Sequence, residues 1–427
     1  MSNSSKKKLL ILGGIALSKE IIESAKRQGA IVYVTDYLED SPSKNYADKS
    51  FMISTVNIDA LVELVKQESI DGILTGYIDL LLPFYQQLCE KTGKYCYATA
   101  KQIELFTDKI KFKNLCKKFN IPVVEEYFIN NPFDIRQLNN FNYPVLLKPA
   151  DNSGGRGITI CRDASTFESN YQKSMSFSPS KNVLIERYIE AEEVTIFYLI
   201  DDGNITLTAM GDRFVKHIQD NIIPLPIGYF FPSKYLDIYK KQLHNKVVEM
   251  FKSIGLKNGM LFIQSFVVNG ECIFYEIGYR LTGSLEYKLI NHSCGLNPLD
   301  MMVNFSLTGN MGLNNQKTRF NPDFNNKVYS NMSFLIKPGI IGKINGTKEI
   351  EKLDNVIDIV LSYKKGDEIP LNALGTLAQV VARVFVWADT KSQLANIMQT
   401  IKQQISVVDQ NGENMLISDF DYNTILI

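Results

Sequence analysis

The sequence predicts an α/β and α+β multidomain protein, and three stretches carry that reading. Residues 8–92 alternate short β-branched runs with amphipathic helical patterns, the mark of a parallel sheet with crossover helices. Residues 143–161 read as strand, glycine-rich turn, strand. Residues 260–283 hold two apolar runs on either side of Asn269-Gly270, a strong hairpin signal. At 427 residues the chain has room for several domains, each with its own core.

Composition narrows the class. With 45% hydrophobic and 22% charged residues, the chain reads as a soluble globular protein. Its formal net charge is zero, so no general basic surface is implied, and neither nucleic acid nor membrane is an expected partner. Six cysteines are scattered without a Cys-x-x-Cys pair, and there are only three histidines, which argues against a structural zinc site. Lys6-Lys-Lys8 before Leu9–Leu17 superficially resembles a signal peptide. The apolar run is short, however, contains Gly13-Gly14, and leads into Ser18-Lys-Glu rather than a cleavage site. The expectation is a cytoplasmic protein with reduced thiols.

In the first hundred residues Leu9–Leu12 is a buried-strand pattern and Gly13-Gly14 a turn. A helix from Ser18 to Arg27 stops at Gly29, and Ile31–Thr35 is a second strand ending at Asp36. Helix Ile58–Gln67, strand Gly72–Thr75 and helix Asp79–Thr92 continue the alternation. This is a Rossmann-like unit without the Gly-x-Gly-x-x-Gly fingerprint.

In the second stretch the apolar run Val145–Leu147 delivers Lys148, and a loop with Ser153, Gly154, Gly155 and Gly157 follows. Glycines let backbone N–H groups approach a phosphate and form an anion-binding nest, and a neighbouring lysine adds a point charge. A strand rather than a helix follows the glycines, and no Gly-Lys-Ser/Thr ends the loop, so neither a dinucleotide fingerprint nor a Walker A loop fits. Upstream, Ala100–Lys118 reads as one helix with Thr107-Asp-Lys109 inside it, broken at Ile121-Pro122. Downstream, Asn182–Thr195 is an extended run carrying Glu186 and Glu193.

The hairpin at 260–283 holds two isolated polar residues, Gln264 and Glu276, where apolar ones would cost less. An amide oxygen and a carboxylate on adjacent strands suit Mg²⁺. Register tests this. A two-residue Asn269-Gly270 loop puts Gln264 and Glu276 on opposite faces, whereas a three-residue connection or one bulge puts them on the same face. The metal reading therefore requires an odd offset.

Taken in order, Asp108-Lys109 with Ile121-Pro122, the Lys148–Gly157 flap, Glu186-Arg-Tyr-Ile189 with Glu193, and Gln264 with Glu276-Ile-Gly-Tyr-Arg280 resemble the ATP-grasp superfamily. The likeness is to its carboxylate–amine ligases, such as L-amino-acid ligases and the halves of the carbamoyl-phosphate synthetase large subunit. It spans about residues 105–310. The resemblance implies a Rossmann-like domain over 1–100, an ATP-grasp domain over 101–315 with a lid at about 124–188, and an α+β domain over 316–427. In the last, Pro338-Gly, Gly366-Asp and Ala388-Asp-Thr look like the C-terminal domain of L-amino-acid ligases, and Arg383 reads as an exposed strand residue, with a place facing the active site as the alternative.

The same resemblance implies roles. Lys109, Lys148, Ser153, Gly154 and Gly155 would hold the phosphates of ATP. Glu186 and the main chain at Arg187, Tyr188 and Ile189 would take the adenine, and Glu193 the ribose. Gln264 and Glu276 would hold Mg²⁺ or Mn²⁺. Arg280 would steady the acceptor carboxylate or acyl phosphate, with Thr282-Gly-Ser284 lining the same pocket. A basic residue of Asp212-Arg-Phe-Val-Lys-His217 would meet the transferring phosphate, Lys216 ranked first and His217 second. Gly14 and Asp79 are weaker candidates for the substrate wall of the N-terminal domain. Gly278 departs from the family's asparagine, and Ala191 from its glycine.

The implied activity joins a small carboxylate to an amine through an acyl phosphate, with no covalent enzyme nucleophile. Bicarbonate activation, and an ATP-binding module without turnover, are the alternatives. Dimers are common among similar proteins, so a homodimer is the assembly this suggests.

Overall fold

The structure is a computed structural model and describes residues 6–129, 138, 141–152, 157–218, 223–313, 319–417 and 420–426. The N-terminal unit runs β1 (Lys8–Leu12), α1 (Ser18–Arg27), β2 (Ile31–Thr35), β3 (Lys49–Phe51), α2 (Ile58–Gln67), β4 (Gly72–Thr75) and α3 (Leu82–Thr92). Its strands are parallel in the order β3-β2-β1-β4. β1 is apolar along Leu9–Leu12 because it is an inner strand of a parallel sheet, buried on both faces. β3 was not expected, since three edge residues are too few to show a period. The helix expected from Asp79 begins at Leu82, after a 3₁₀ turn over Asp79–Leu81 that sets Asp79 just beyond the end of β4.

Two helices, α4 (Ala100–Thr107) and α5 (Lys109–Lys118), replace the single one expected over 100–118. The break is Asp108. Its backbone is extended, and its Oδ1 accepts from the N–H groups of Ile110 and Lys111 at 2.9 and 3.0 Å. A short acid that caps the next helix is worth more here than one more helical turn. Lys109 consequently opens a helix rather than sitting inside one.

A small antiparallel sheet comes next, built from β5 (Glu126–Tyr127), β6 (Val145–Pro149), β7 (Thr159–Cys161) and β8 (Val183–Arg187), with α6 (Phe167–Ser176) against it. Its order is β5-β8-β6-β7. It has its own core of Leu138, Phe141, Val145, Leu147, Cys161, Phe167 and Ile185, as a hinged lid requires.

The remaining elements are β9 (Glu192–Asp201), β10 (Asn204–Lys216), β11 (Leu225–Phe231), α7 (Leu236–Tyr239), α8 (Asn245–Ser253), β12 (Gly259–Val268) and β13 (Glu271–Gly278). Then follow α9 (Tyr287–Cys294), α10 (Pro298–Thr308), β14 (Val328–Leu335), β15 (Gly339–Asn345), α11 (Thr347–Ile350), β16 (Val356–Leu361), β17 (Glu368–Ile369), β18 (Val380–Ala388), α12 (Lys391–Gln404) and β19 (Ser406–Asp409). One eight-stranded sheet dominates, in the order β13-β12-β9-β10-β11-β14-β18-β16. The division expected at 315/316 falls between strands of this sheet. β11 pairs with β14 from Gly228↔Met332 to Phe231↔Tyr329, so the tail supplies β14, β18 and β16 to it. One hydrophobic core joins the N-terminal unit to β9–β13. Among the described residues no helix is long and apolar enough to cross a membrane.

Candidate active site

The register of the large sheet aligns one face residue by residue. Glu276 lies opposite Gln264, Gln264 opposite Thr195, and Phe266 opposite Glu193. Glu193 faces Arg213, Arg213 faces Tyr229, and Tyr229 faces Asn331. Two residues along from Asn331, Ser333 faces Arg383. Directly paired residues share a face, and so do residues two apart on one strand. A single polar surface therefore runs from Glu276 to Arg383.

The hairpin has the odd offset. Val268 pairs with Glu271, but a bulge at Tyr275 shifts the register so that Gln264 meets Glu276. Without it Gln264 would face Tyr275, and Glu276 would turn to the other side. The bulge also aims Tyr275 inward. Its hydroxyl donates to Glu193 Oε2 at 2.8 Å, and Arg213 Nη1 lies 3.3 Å from that hydroxyl while pairing with the same carboxylate oxygen. An amide and a carboxylate oxygen side by side suit a hard divalent cation. Among the described residues no group of three or more His, Cys, Asp or Glu converges, so such an ion would complete its shell with phosphate oxygens and water.

Gly278 has a steric cause. A Cβ there would lie 2.2 Å from Phe262 Cε1, its cross-strand partner. The Phe262 ring takes the space that a side chain at 278 would need, and the Arg280 guanidinium stacks 5.0 Å from its centre.

At the lid, β6 and β7 form the expected hairpin about the glycine-rich turn, with Val145 opposite Cys161 and Leu147 opposite Thr159. Ser153, Gly154 and Gly155 lie outside the described residues. Lys109 Nζ donates to Asn152 O at 2.5 Å, which ties the start of α5 to the mouth of that turn. Burial, with Lys148 alongside, holds the Lys109 ammonium below the usual lysine range, against the opposing pull of Glu276, Glu186 and Asp79. Lys148 Nζ sits 2.5 Å from Glu186 Oε2 and 5.6 Å from the centre of the Tyr275 ring. Two lysines, the Gln264–Glu276 pair and Glu193 thus converge between the lid and the large sheet.

Glu186 is 1% exposed and holds two cations. Lys113 pairs with its Oε1, as Lys148 does with Oε2. Each carboxylate oxygen is thus taken by one ammonium group. Burial pushes the carboxyl up, but Lys148 and Lys113 outweigh it and leave it below the usual carboxylate range. The N–H groups of Arg187 and Tyr188 are taken by Glu125 O at 3.0 Å and Pro144 O at 3.3 Å. Of the alternating N–H and C=O groups expected to meet a base along 187–189, these two donors are therefore already engaged. Among the described residues Ile189 N–H makes no backbone bond.

In the basic run at 212–217, Arg213 pairs with Glu193 and so reaches the site. The β10–β11 register shifts between Phe214 and Val215, past Ile227 of β11 and ahead of Lys216, and His217 is exposed past the strand end. Nothing in the residue order favours Arg213 over its neighbours.

Arg280 is forked onto Asp79, Nε to Oδ1 and Nη2 to Oδ2 both at 2.6 Å, with Nη1 donating to Leu281 O at 2.9 Å. Gly14 donates its N–H to Asp36 Oδ2 at 2.7 Å and packs on Ser41, so it lies in a turn rather than on a substrate wall. Beyond Arg280, Ser284 Oγ meets Thr282 Oγ1 at 2.6 Å and donates to Glu286 Oε2 at 2.9 Å. Glu286 is buried with Oε1 unpartnered, and that burial pushes its carboxyl up to about 7. Arg383, expected to be exposed, is 5% exposed, and its guanidinium has no ion pair or hydrogen bond among the described residues. Burial lowers its guanidinium to about 10, with Tyr229, Tyr287 and Tyr77 nearby.

A lid sheet and a large sheet closing on Lys109, Lys148, Glu186 and the Gln264–Glu276 pair are the arrangement of an ATP-grasp domain, and the proteins this chain is similar to are ATP-dependent ligases. Residues 108–304 match the family described as "Carbamoyl-phosphate synthase L chain, ATP binding domain". The chain is 27% identical over 285 residues to the formate-dependent phosphoribosylglycinamide formyltransferase of Sulfurisphaera tokodaii, covering 64% of this chain and 70% of that one. Two solved structures share the fold. The biotin carboxylase domain of Hydrogenobacter thermophilus 2-oxoglutarate carboxylase, a dimer solved with MgADP and bicarbonate, has a TM-score of 0.76 at 19% identity over 97% of this chain and 92% of its own. The L-amino acid ligase of Bacillus licheniformis has 0.74 at 16% identity over 96% of this chain and 100% of its own.

Proposed function

We propose that the protein activates the carboxylate of a small acid with Mg-ATP and passes the acyl group to an amine. The observation that carries this is the bulged hairpin, which sets Gln264 beside Glu276 on the face that also holds Glu193. Lys109 and Lys148 hold the phosphates, Glu186 and Ile189 N–H the adenine, and Oε1 of Glu193 the ribose. Gln264 and Glu276 hold Mg²⁺, and Mn²⁺, which prefers the same oxygen donors, substitutes. Bound there, the ion supplies charge neutralisation at the transferring phosphoryl group.

The acid's carboxylate displaces ADP from the γ-phosphorus, with Arg213 and the two lysines facing the charge that spreads over the phosphoryl oxygens. The amine then attacks the acyl carbon, and phosphate leaves with the bonding electrons. Arg280, committed to Asp79 by two donors, keeps two N–H groups for the acyl oxygen. Arg383 is a buried cation with no anionic partner among the described residues, an arrangement that favours an anion as ligand. Assembly as a homodimer belongs to the same reading and is checked by gel filtration.

The second reading is bicarbonate as the activated acid. Its support is the likeness to the H. thermophilus carboxylase domain. The test is ADP release from Mg-ATP with the twenty amino acids singly and in pairs, with formate, and with bicarbonate. Release that needs both an acid and an amine supports the ligase. Release with bicarbonate alone supports the second reading, and no release with any of them rejects both. Arg383→Met should raise the KM for the responding acid about 100-fold while ADP affinity stays unchanged.

A further inference from the structure

Lys113 has no part in the proposed chemistry, yet it is the most deeply buried lysine near the site. It is 0% exposed on α5, beside Phe112 and Cys116 in the core. Its ammonium pairs with Glu186 Oε1, donates to Val124 O at 3.0 Å, and lies 3.7 Å from Glu126 Oε1. Glu126 is itself held by Lys117 at 2.6 Å. An ammonium fixed from three sides has nowhere to go.

Lys148 differs. It contacts the same carboxylate from the lid strand β6, next to the glycine-rich turn, and the phosphates of a nucleotide would compete for it. Once Lys148 turns to phosphate, Glu186 loses one of its two cations and its Oε2 comes free. A carboxylate this buried takes up a proton unless a cation remains. An ionised carboxylate only accepts hydrogen bonds, whereas a protonated one also donates. Adenine presents a donor at its 6-position, and hypoxanthine presents an acceptor there.

We propose that Lys113 is a positioning residue that keeps Glu186 an obligate acceptor while Lys148 exchanges it for phosphate, and so makes the site selective for a 6-amino over a 6-oxo purine nucleotide. The inference rests on the nucleotide reading of the site and deepens it. The charged groups facing Glu186 are Lys113 and Lys109 from α5, Lys148 from β6 and Glu126 from β5.

The experiment is calorimetric binding of ADP and IDP, each with Mg²⁺, from pH 6 to 9. The wild type should prefer ADP by about 30-fold or more, with a ratio independent of pH. Lys113→Met should cut the ratio at least tenfold at pH 6, with partial recovery as pH rises and Glu186 ionises without its partner. Lys148→Met should weaken both nucleotides and leave the ratio intact. A Lys113→Met protein that keeps the wild-type ratio at every pH overturns the proposal. If that variant does not fold, Lys113→Gln, which retains a donor for Val124 O without the charge, takes its place, and the same two outcomes decide. Failure of the wild type to bind either nucleotide would overturn the nucleotide reading itself, a result distinct from an unchanged ratio in the variant.

Discussion

Asp79 and Arg280 lie 201 residues apart and meet through two parallel bonds of 2.6 Å. One stands in the turn beyond β4 of the N-terminal unit, and the other follows the β12–β13 hairpin. Planar guanidinium and carboxylate fit each other as a fork, which a lysine at 280 could not reproduce. The pair therefore fixes the N-terminal unit against the large sheet beside that hairpin. Asp79→Asn should cost about 3 kcal/mol in urea denaturation, because it strands a mostly buried guanidinium. Arg280→Lys should lose turnover by about 100-fold with ADP affinity unchanged.

The paired Gln264 and Glu276 make a second prediction. If the pair holds Mg²⁺ as proposed, Glu276→Gln removes its one charged ligand. The Mg²⁺ concentration for half-maximal ADP release should rise at least tenfold, while metal-free ADP binding changes little. Unchanged Mg²⁺ dependence would exclude Glu276 as a ligand.

Glu286 titrates at about 7 in the fold against about 4.5 in the unfolded chain. Its neutral form is the favoured one inside. Its stabilisation is complete below pH 4.5 and is lost as pH rises through 7. The loss amounts to about 3 kcal/mol at most. Urea midpoints at pH 5 and pH 8 should therefore fall in the wild type by a contribution that Glu286→Gln lacks. Parallel midpoints in the two proteins would rule this out.

Gly278 should tolerate no side chain. Gly278→Ala places a methyl group 2.2 Å from Phe262 Cε1 and should destabilise by about 1–3 kcal/mol. Adding Phe262→Leu should recover part of that loss, as thermal melts of the single and double variants will show.

Much of this site was legible in the chain because its motifs are local. Lys148 with its turn and Gln264 with Glu276 each lie within one strand pair, and Glu186 and Glu193 stand close in sequence on either side of the step from β8 to β9. Metal binding by Gln264 and Glu276 required an odd register, and a bulge at Tyr275 supplies it. What could not be read depends on distance or pairing. Arg213 and Lys216 have the same charge three residues apart, and what separates them is the pairing of Arg213 with Glu193 across β9 and β10, which residue order does not show. Lys113 sits in a lysine-rich helix where solvated lysines are the usual expectation, and its burial depends on β8 arriving some seventy residues later. Arg383 becomes buried only when the tail's strands join the main sheet. Asp108 hid a helix break because helical sequence runs on both sides of it and no Gly or Pro marks the point.

That joined sheet bears on how such a chain can be rearranged. Residues 108–304 match a family by themselves, yet they are no transplantable module. Cutting at 304 strips β14 from β11, leaving Gly228–Phe231 as a raw, adhesive border. Gene fusions or shuffling that respect the architecture must carry the segment from β9 to β18 as one block, and the small lid sheet, with a core of its own, is the piece free to be exchanged.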